Sequence, residues 1–142
     1  MEIELRPVAG EKELSDPAVT GRFASEMAKL AAQVQIPPWC GYIAWRGDAP
    51  VGFAGFVGEP SAGGAVEIGY LTFPQQEGTG VATAGAAGLV AIARAQGLSK
   101  VIAHTLCQPN ASTRVLEKCS FIRDGFGDDP DEGQVWRWAL TF

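Results

Sequence analysis

The most informative segment of the chain reads VEIGYLTFPQQEGTGVAT and spans residues 66–83. Its first part, up to Phe73, is rich in β-branched and aromatic residues, which predicts a strand. Gly78 and Gly80 follow in a polar turn, and an alanine-rich stretch that predicts a helix to about Gln96 begins directly after them. Unpaired N–H groups at a helix start favour an anion, and glycines let a phosphate approach the backbone. The segment therefore predicts a strand–turn–helix unit that can bind phosphate.

Glycines in such a turn also serve chain geometry alone, and other phosphate-binding motifs use them. A P-loop requires a lysine after its last glycine, and none occurs here. A dinucleotide-binding fingerprint requires a third glycine and an acidic residue about 20 positions further on. Thr83 replaces that glycine, and Lys100 lies near the expected acid. Both motifs are disfavoured, although an α/β protein for a different nucleotide stays open as an alternative.

The remainder of the chain predicts strands and helices on both sides of this unit. Asp16-Pro17 predicts a helix start, and Pro37-Pro38 ends that helix. Its apolar face comprises Phe23, Met27, Leu30 and Val34. The predicted order is β-α-β-β-β-α-β-α-β-β in one domain over residues 1–142. Hairpins combined with βαβ crossovers predict an α+β, three-layer architecture, in which helices cover both faces of a mixed sheet of about seven strands.

Composition excludes several classes of partner. The net charge is −5 with scattered basic residues, which disfavours nucleic acid. No apolar run approaches the roughly 18 residues that span a bilayer, and Glu2, Glu4 and Arg6 interrupt any signal-peptide core. We therefore expect no membrane association and a cytoplasmic protein.

Cysteine and histidine are too sparse for a metal site. Cys40, Cys107 and Cys119 are far apart in the sequence, and His104 is the single histidine. A zinc site needs about four ligands, usually closely paired along the chain. We expect no metal, no disulfide and three buried, reduced thiols.

Four blocks of sequence together resemble the GNAT acetyltransferases, and in particular the branch that acetylates the N-termini of ribosomal proteins. The blocks are EIGYL (67–71), GTGVAT (78–83), GLSKV (97–101) and STRVLEKC (112–119). Each is unspecific alone, but their combination and spacing match the family over about residues 40–126. The resemblance implies the GNAT fold with a mostly antiparallel sheet. It also implies transfer of an acetyl group from acetyl-CoA to a primary amine by direct attack in a ternary complex, without a metal, and it allows a homodimer.

The resemblance further implies which residues bind acetyl-CoA. The backbone of Leu71, Thr72 and Phe73 would pair with the pantetheine arm, as an added strand pairs with a sheet edge. The diphosphate would lie on the turn and helix start, at Gly78, Thr79, Gly80, Val81, Ala82 and Thr83. Asn110 is a further candidate, with helix capping as its alternative role.

Four positions depart from the family pattern, one of them Ser120, which stands where the family usually has a glycine before the phenylalanine. Glu77 stands where the family loop has Arg or Gln, and a carboxylate near a diphosphate weakens binding by charge repulsion. Pro109 stands at a family asparagine, and Leu116 replaces a tyrosine that often protonates the departing thiolate. Glu77 and Pro109 favour the alternative of a degenerate CoA-binding or sensor module without catalysis.

Acetyl transfer needs a base for the amine and a donor for the thiolate. The resemblance implies Glu67 as the general base, directly or through a water, against the alternative of an ordinary strand carboxylate. It implies Ser112 as the proton donor, against the alternative of a helix cap. We interpret His104 as a packed or hydrogen-bonded strand residue rather than a base.

The acceptor amine is placed by the resemblance between residues 23–39 and residues 126–134. The second range carries the acidic residues Asp128, Asp129, Asp131 and Glu132. These carboxylates would attract an amine, but solvated loop charges are their more common explanation. A peptide N-terminus, a lysine and a small-molecule amine all remain open.

Overall fold

The computed structural model describes residues 2–33 and 35–142 and contains a seven-stranded mixed sheet in the order β1-β2-β3-β4-β5-β7-β6. The strands are β1 (Glu4–Pro7), β2 (Gly41–Arg46), β3 (Ala49–Val57), β4 (Ala65–Thr72), β5 (Lys100–Thr105), β6 (Ile122–Asp129) and β7 (Gly133–Thr141). The helices are α1 (Pro17–Thr20), α2 (Ala24–Ala31), α3 (Val81–Ala95) and α4 (Ala111–Lys118). The predicted fold class and element order are confirmed. None of the described helices has the length and apolar character needed to cross a bilayer.

Strands β4 and β5 form the single parallel pair among the described strands, and they separate midway. Their ladder comprises Ala65–Lys100, Val66–Val101 and Glu67–Ile102. Beyond these pairs β4 continues to Thr72 along β3 only. Backbone groups on the β5 side of residues 68–72 are thus left without a strand partner, which opens the centre of the sheet.

Helices cover both faces of the sheet, as predicted. On one face, α3 and α4 enclose a core that includes Phe56, Ile68, Leu89, Leu116 and Trp138. On the other face, α2 and the chain before it pack over Leu14, Met27, Ile43 and Phe73. Successive residues of β4 alternate between these faces, so Tyr70 faces α4 whereas Glu67 lies on the opposite face.

The first helical region is broken, whereas the sequence predicted one helix from Asp16 to Pro37. Asp16 caps α1 as predicted, because its Oδ1 accepts a hydrogen bond from Ala18 N at 2.9 Å. The chain then turns at Gly21, whose φ of 57° favours glycine. A Cβ at this position would lie 2.7 Å from Cγ of Pro74. Of the predicted apolar face, Val34 lies outside the described residues.

Two smaller expectations are also corrected. The predicted acidic loop is shorter, because β6 extends through Asp129 and includes Asp128. All three cysteines are free thiols, but only Cys40 is buried, and Cys107 is exposed beyond the end of β5.

Candidate active site

A cleft of about 460 Å³ opens where β4 and β5 separate. It is bounded by the end of β4, the turn before α3, the first turns of α4 and the bend that follows α1. The lining residues are Arg22, Phe23, Tyr70, Leu71, Thr72, Glu77, Gly78, Gly80, Val81, Ala82, Thr83, Ala111, Ser112, Arg114, Val115 and Lys118. The cleft therefore combines the glycine-containing turn with Ser112, two regions far apart in the sequence.

The start of α3 presents free backbone donors to this cleft. Its N-cap is Gly80, which has a φ of 85° and no side chain with which to cap the helix. The first helical hydrogen bond runs from Ala84 N to Gly80 O at 3.1 Å. The preceding amides of Val81, Ala82 and Thr83 thus have no intrahelical acceptor. Free N–H donors at a helix start favour an anion, so these amides are able to bind the phosphate that the sequence predicted for this turn.

The glycines of this turn leave free space beside its backbone. Gly78 has a φ of 79°, and a Cβ on Gly78 or Gly80 would meet no atom within 4 Å. Glycine is therefore required here for backbone conformation, and the space above the turn remains free for a ligand. The described residues of this turn are therefore compatible with a bound diphosphate.

The side chain of Arg46 of β2 stabilises the turn through hydrogen bonds. Its Nη1 donates to Gln76 Oε1 at 3.1 Å, and its Nη2 donates to Thr79 O at 3.3 Å. The Thr79 hydroxyl donates to Gln76 O at 2.6 Å. The Thr79 side chain is thus used to stabilise the turn, and Thr79 is not among the described residues that line the cleft.

The cleft gathers positive charge in a chain whose net charge is −5. Arg22, Arg114 and Lys118 line it, and Glu77 is the one acidic residue among its described lining. Arg22 Nη1 lies 3.5 Å from Glu77 Oε1, and both side chains are more than half exposed, at 62% and 54%. Arg22 therefore partly offsets the negative charge of Glu77 beside the turn.

Tyr70 and Ser112 meet at the inner end of the cleft. The Tyr70 hydroxyl lies 3.1 Å from Ser112 Oγ and 3.0 Å from the Ser112 carbonyl oxygen. Burial raises the pKa of Tyr70 to about 12, although the hydrogen bond with Ser112 acts in the opposite direction. Leu116, at the family's tyrosine position, is fully buried in the core and does not line the cleft.

Asn110, not Ser112, caps α4. Asn110 Oδ1 accepts from Thr113 N at 2.9 Å, and Thr113 Oγ1 accepts from Asn110 N at 2.9 Å. This reciprocal pair is a capping box. The capping role considered for Asn110 is confirmed, whereas the one considered for Ser112 is wrong because Ser112 lies inside the helix.

The predicted cofactor residues divide into two groups. The cleft brings together Leu71, Thr72, Gly78, Gly80, Val81, Ala82 and Thr83. Phe73, Thr79 and Asn110 lie outside this lining. Phe73 is fully buried, and its N–H donates to Val51 O at 3.0 Å, so neither its side chain nor its amide faces the cleft.

Glu67 lies on the opposite face of β4, outside the described lining of the cleft, and pairs with His104. Glu67 Oε2 is 3.0 Å from His104 Nδ1, and the side chains are 32% and 28% exposed. The interpretation of His104 as a hydrogen-bonded strand residue is confirmed. A Cβ on Gly127 of β6 would lie 2.8 Å from His104 Nε2, so β6 closely approaches the ring.

Asp129 is the last residue of β6. Backbone N–H groups of Asp131 and Glu132 lower the pKa of Asp129, and His104 contributes in the same direction. The Asp129 carboxylate therefore stays ionised to a lower pH than an ordinary aspartate, and His104 is near enough to act on it electrostatically. No group of three or more His, Cys, Asp or Glu placed to hold a metal ion occurs within residues 2–33 and 35–142.

Several cleft residues were missed by the sequence analysis. Arg114 and Lys118 are four residues apart on one face of α4, a spacing that could have identified them. Arg22 could not be found in this way, because its position depends on the break between α1 and α2. Tyr70 belongs to a block that carried the family resemblance, but no role was assigned to it.

Comparisons with known proteins agree with this architecture. A search of curated protein sequences found no significant match. Among solved structures, a ribosomal L7/L12 α-N-protein acetyltransferase in complex with coenzyme A is similar, with a TM-score of 0.82 and 15% identity over 100% of this chain and 95% of that chain. A spermidine N-acetyltransferase chimera from Vibrio cholerae and hSSAT has a TM-score of 0.80 and 12% identity over 99% and 96%.

An aminoglycoside acetyltransferase in complex with coenzyme A has a TM-score of 0.73 and 18% identity, over 99% of this chain and 95% of that chain. These identities are low, so the similarity establishes the fold. The family model of the acetyltransferase (GNAT) domain matches residues 6–122, which is most of the chain. The protein therefore belongs to the GNAT acetyltransferase family and is an acyltransferase.

Proposed function

We propose that the cleft binds acetyl-CoA and that the protein transfers the acetyl group directly to a primary amine in a ternary complex. The observation that carries this proposal is the separation of β4 from β5 beside the uncapped start of α3. The first feature offers unpaired strand backbone to the amides of a pantetheine arm, and the second offers N–H donors to a diphosphate.

Different residues of the chain bind different parts of acetyl-CoA. The amides of residues 81–83 receive the diphosphate, and Arg114 and Lys118 add positive charge along α4. Leu71 and Thr72 present the backbone of β4. Acetyl-CoA, when bound, supplies an activated thioester.

Glu67 acts as the base for the amine, and His104 positions it. The carboxylate lies at the last β4–β5 pair, where the two strands begin to separate. An amine that reaches this point from the β6 side meets Glu67, His104 and ionised Asp129. Ser112, on the opposite side of β4, donates a hydrogen bond from its hydroxyl to the departing sulfur and so stabilises the negative charge that develops there.

The acceptor class follows from the charge on this side of the sheet. Glu67 and Asp129, with Asp131 and Glu132 in the adjoining turn, favour a cationic amine over a neutral one. The similar structures are named as acting on a ribosomal protein N-terminus, spermidine and aminoglycosides. We therefore choose a peptide with a free N-terminus, a lysine peptide, spermidine and an aminoglycoside as the test panel.

Two measurements test the proposal. Calorimetry of the whole chain with acetyl-CoA should detect binding, and NAD and ATP should give no comparable heat. A transfer assay over the amine panel should then show acetylation of at least one amine. Absence of binding at millimolar acetyl-CoA would overturn the proposal. Binding without transfer to any amine would instead support the CoA-binding sensor module.

A further inference from the structure

The inner end of the cleft holds a hydroxyl pair from two separate elements. Tyr70 Oη of β4 lies 3.1 Å from Ser112 Oγ of α4, and both residues line the cleft. The same phenol lies 3.0 Å from the Ser112 carbonyl oxygen. Leu116, which stands at the family's tyrosine position, is buried in the core. Tyr70 is the only tyrosine among the described residues that line the cleft.

We propose that Tyr70 is a positioning residue that donates its hydrogen to Ser112 Oγ, so that the Ser112 hydroxyl hydrogen points into the cleft toward the thioester sulfur. This inference rests on the proposed function, because it requires the thioester to reach Ser112.

The two hydroxyl groups together carry two hydrogens, and their directions decide which acceptors these hydrogens reach. A phenol and a serine hydroxyl each carry one hydrogen. If Tyr70 donates to the Ser112 carbonyl, the serine hydrogen can return to Tyr70 Oη. If Tyr70 donates to Ser112 Oγ, the serine hydrogen is free for another acceptor. A carbonyl oxygen only accepts, so in the second arrangement the phenol hydrogen is shared between Ser112 Oγ at 3.1 Å and the carbonyl oxygen at 3.0 Å. The two arrangements then differ only by rotation of hydroxyl groups. Negative charge on sulfur in the cleft would favour the second arrangement.

The acidity of Tyr70 supports a role as donor without loss of its proton. With a pKa of about 12, the phenol stays protonated throughout the physiological range. Thiols have a pKa of about 8.5, so a thiolate does not remove a proton from this phenol. During transfer the C–N bond forms, the C–S bond breaks and sulfur keeps the electron pair. The cationic amine gives one proton to Glu67 before it attacks and a second to solvent as the C–S bond breaks. Solvent later protonates the thiolate, so the hydroxyl pair only stabilises charge.

Tyr42 provides a matched control. It is the other of the two tyrosines in the chain and is buried. Its hydroxyl donates to Pro38 O at 2.8 Å, and burial raises its pKa to about 12 as well. Tyr42 does not line the cleft. Tyr42→Phe therefore removes a comparable hydroxyl without touching Ser112.

The first test measures binding and needs no acceptor amine. Calorimetry compares CoA with desulfo-CoA at a pH that ionises the bound thiol. We expect wild type and Tyr42→Phe to bind CoA more tightly than desulfo-CoA. In Tyr70→Phe and Ser112→Ala, the ratio of these two affinities should fall about tenfold. Equal preference in Tyr70→Phe and Tyr42→Phe would overturn the inference.

The second test uses the best amine from the panel. Ser112→Ala should lower kcat about a hundredfold and Tyr70→Phe about tenfold, each with the KM for acetyl-CoA unchanged. Because Tyr70 acts through Ser112, the double variant should be no slower than Ser112→Ala. A double variant slowed by the product of the two losses would overturn the inference. Failure of wild type to bind acetyl-CoA would overturn the proposed function as well, whereas normal wild-type transfer with an unaffected Tyr70→Phe would overturn only this inference.

Discussion

The two faces of β4 present different chemical groups to a ligand. On the α4 face, the cleft is built from main-chain amides, glycines and the half-buried hydroxyl pair of Tyr70 and Ser112. On the opposite face, the Glu67–His104 pair is about one-third exposed, and His104 acts electrostatically on Asp129 of the β6–β7 hairpin. The first face suits a ligand of constant shape, since backbone donors cannot be changed by side-chain substitution. The second depends on side chains and would allow the acceptor to vary.

The largest expected effect separates chemistry from cofactor binding. Glu67→Gln should lower kcat by about 10²–10⁴-fold, because the amide cannot take a proton, with the affinity for acetyl-CoA unchanged. Steady-state kinetics and calorimetry measure the two quantities. Glu59→Gln, at an exposed position outside the cleft, is the charge-matched control. A Glu67→Gln variant as active as this control would remove Glu67 from the mechanism.

The second-largest expected effect concerns acetyl-CoA binding on the α4 face of β4. Ala82→Asp places a carboxylate on the first turn of α3, where it favours the helix dipole but repels a diphosphate. We expect acetyl-CoA to bind about a hundredfold more weakly, while the melting temperature does not fall. Ala91→Asp, on an exposed position of the same helix, makes the same charge change away from the cleft. Equal weakening in both variants would contradict a diphosphate site at residues 81–83.

A third variant tests why the family's tyrosine position cannot be used here. Leu116→Tyr adds volume and a hydroxyl to a fully buried core position. It should lower the free energy of unfolding by about 1–3 kcal/mol without raising kcat. Denaturant unfolding and kinetics measure the two quantities. A stable variant with higher kcat would show that the core can open to the cleft at this position.

The smallest effect concerns the Arg22–Glu77 pair. Arg22→Gln should weaken acetyl-CoA binding about two- to fivefold, and Glu77→Gln should strengthen it by a similar factor. The double variant should approach wild type. Because both side chains are exposed, calorimetry at rising salt should reduce these differences. Salt-independent effects of the same sign in both single variants would contradict simple charge compensation.

The sequence predicted the element order and the glycine-containing turn, because strand composition, capping residues and turn glycines are local signals. Asp16 and Asn110 were found by the same local logic, and both cap helices. Long-range contacts determine the features that were missed. The bend at Gly21 packs against Pro74, and it is this bend that places Arg22 beside Glu77.

Prediction also failed where a residue's direction mattered more than its position in a motif. Phe73 belongs to the stretch that was expected to hold the pantetheine arm, but its side chain fills the core and its amide pairs with Val51. Tyr70 was visible in the sequence, yet its role depends on meeting Ser112, which lies 42 positions further along the chain. Pattern within one strand does not reveal such a contact.

The amide resonances of residues 78–83 provide the most direct test of the central claim, that backbone donors at the start of α3 hold a CoA diphosphate. In a titration of ¹⁵N-labelled protein with CoA, the resonances of Gly80, Val81, Ala82 and Thr83 should shift most and saturate together. Ala82→Asp should abolish these shifts, whereas Ala91→Asp should preserve them. Saturable shifts confined to another surface, with residues 78–83 unaffected, would contradict the account.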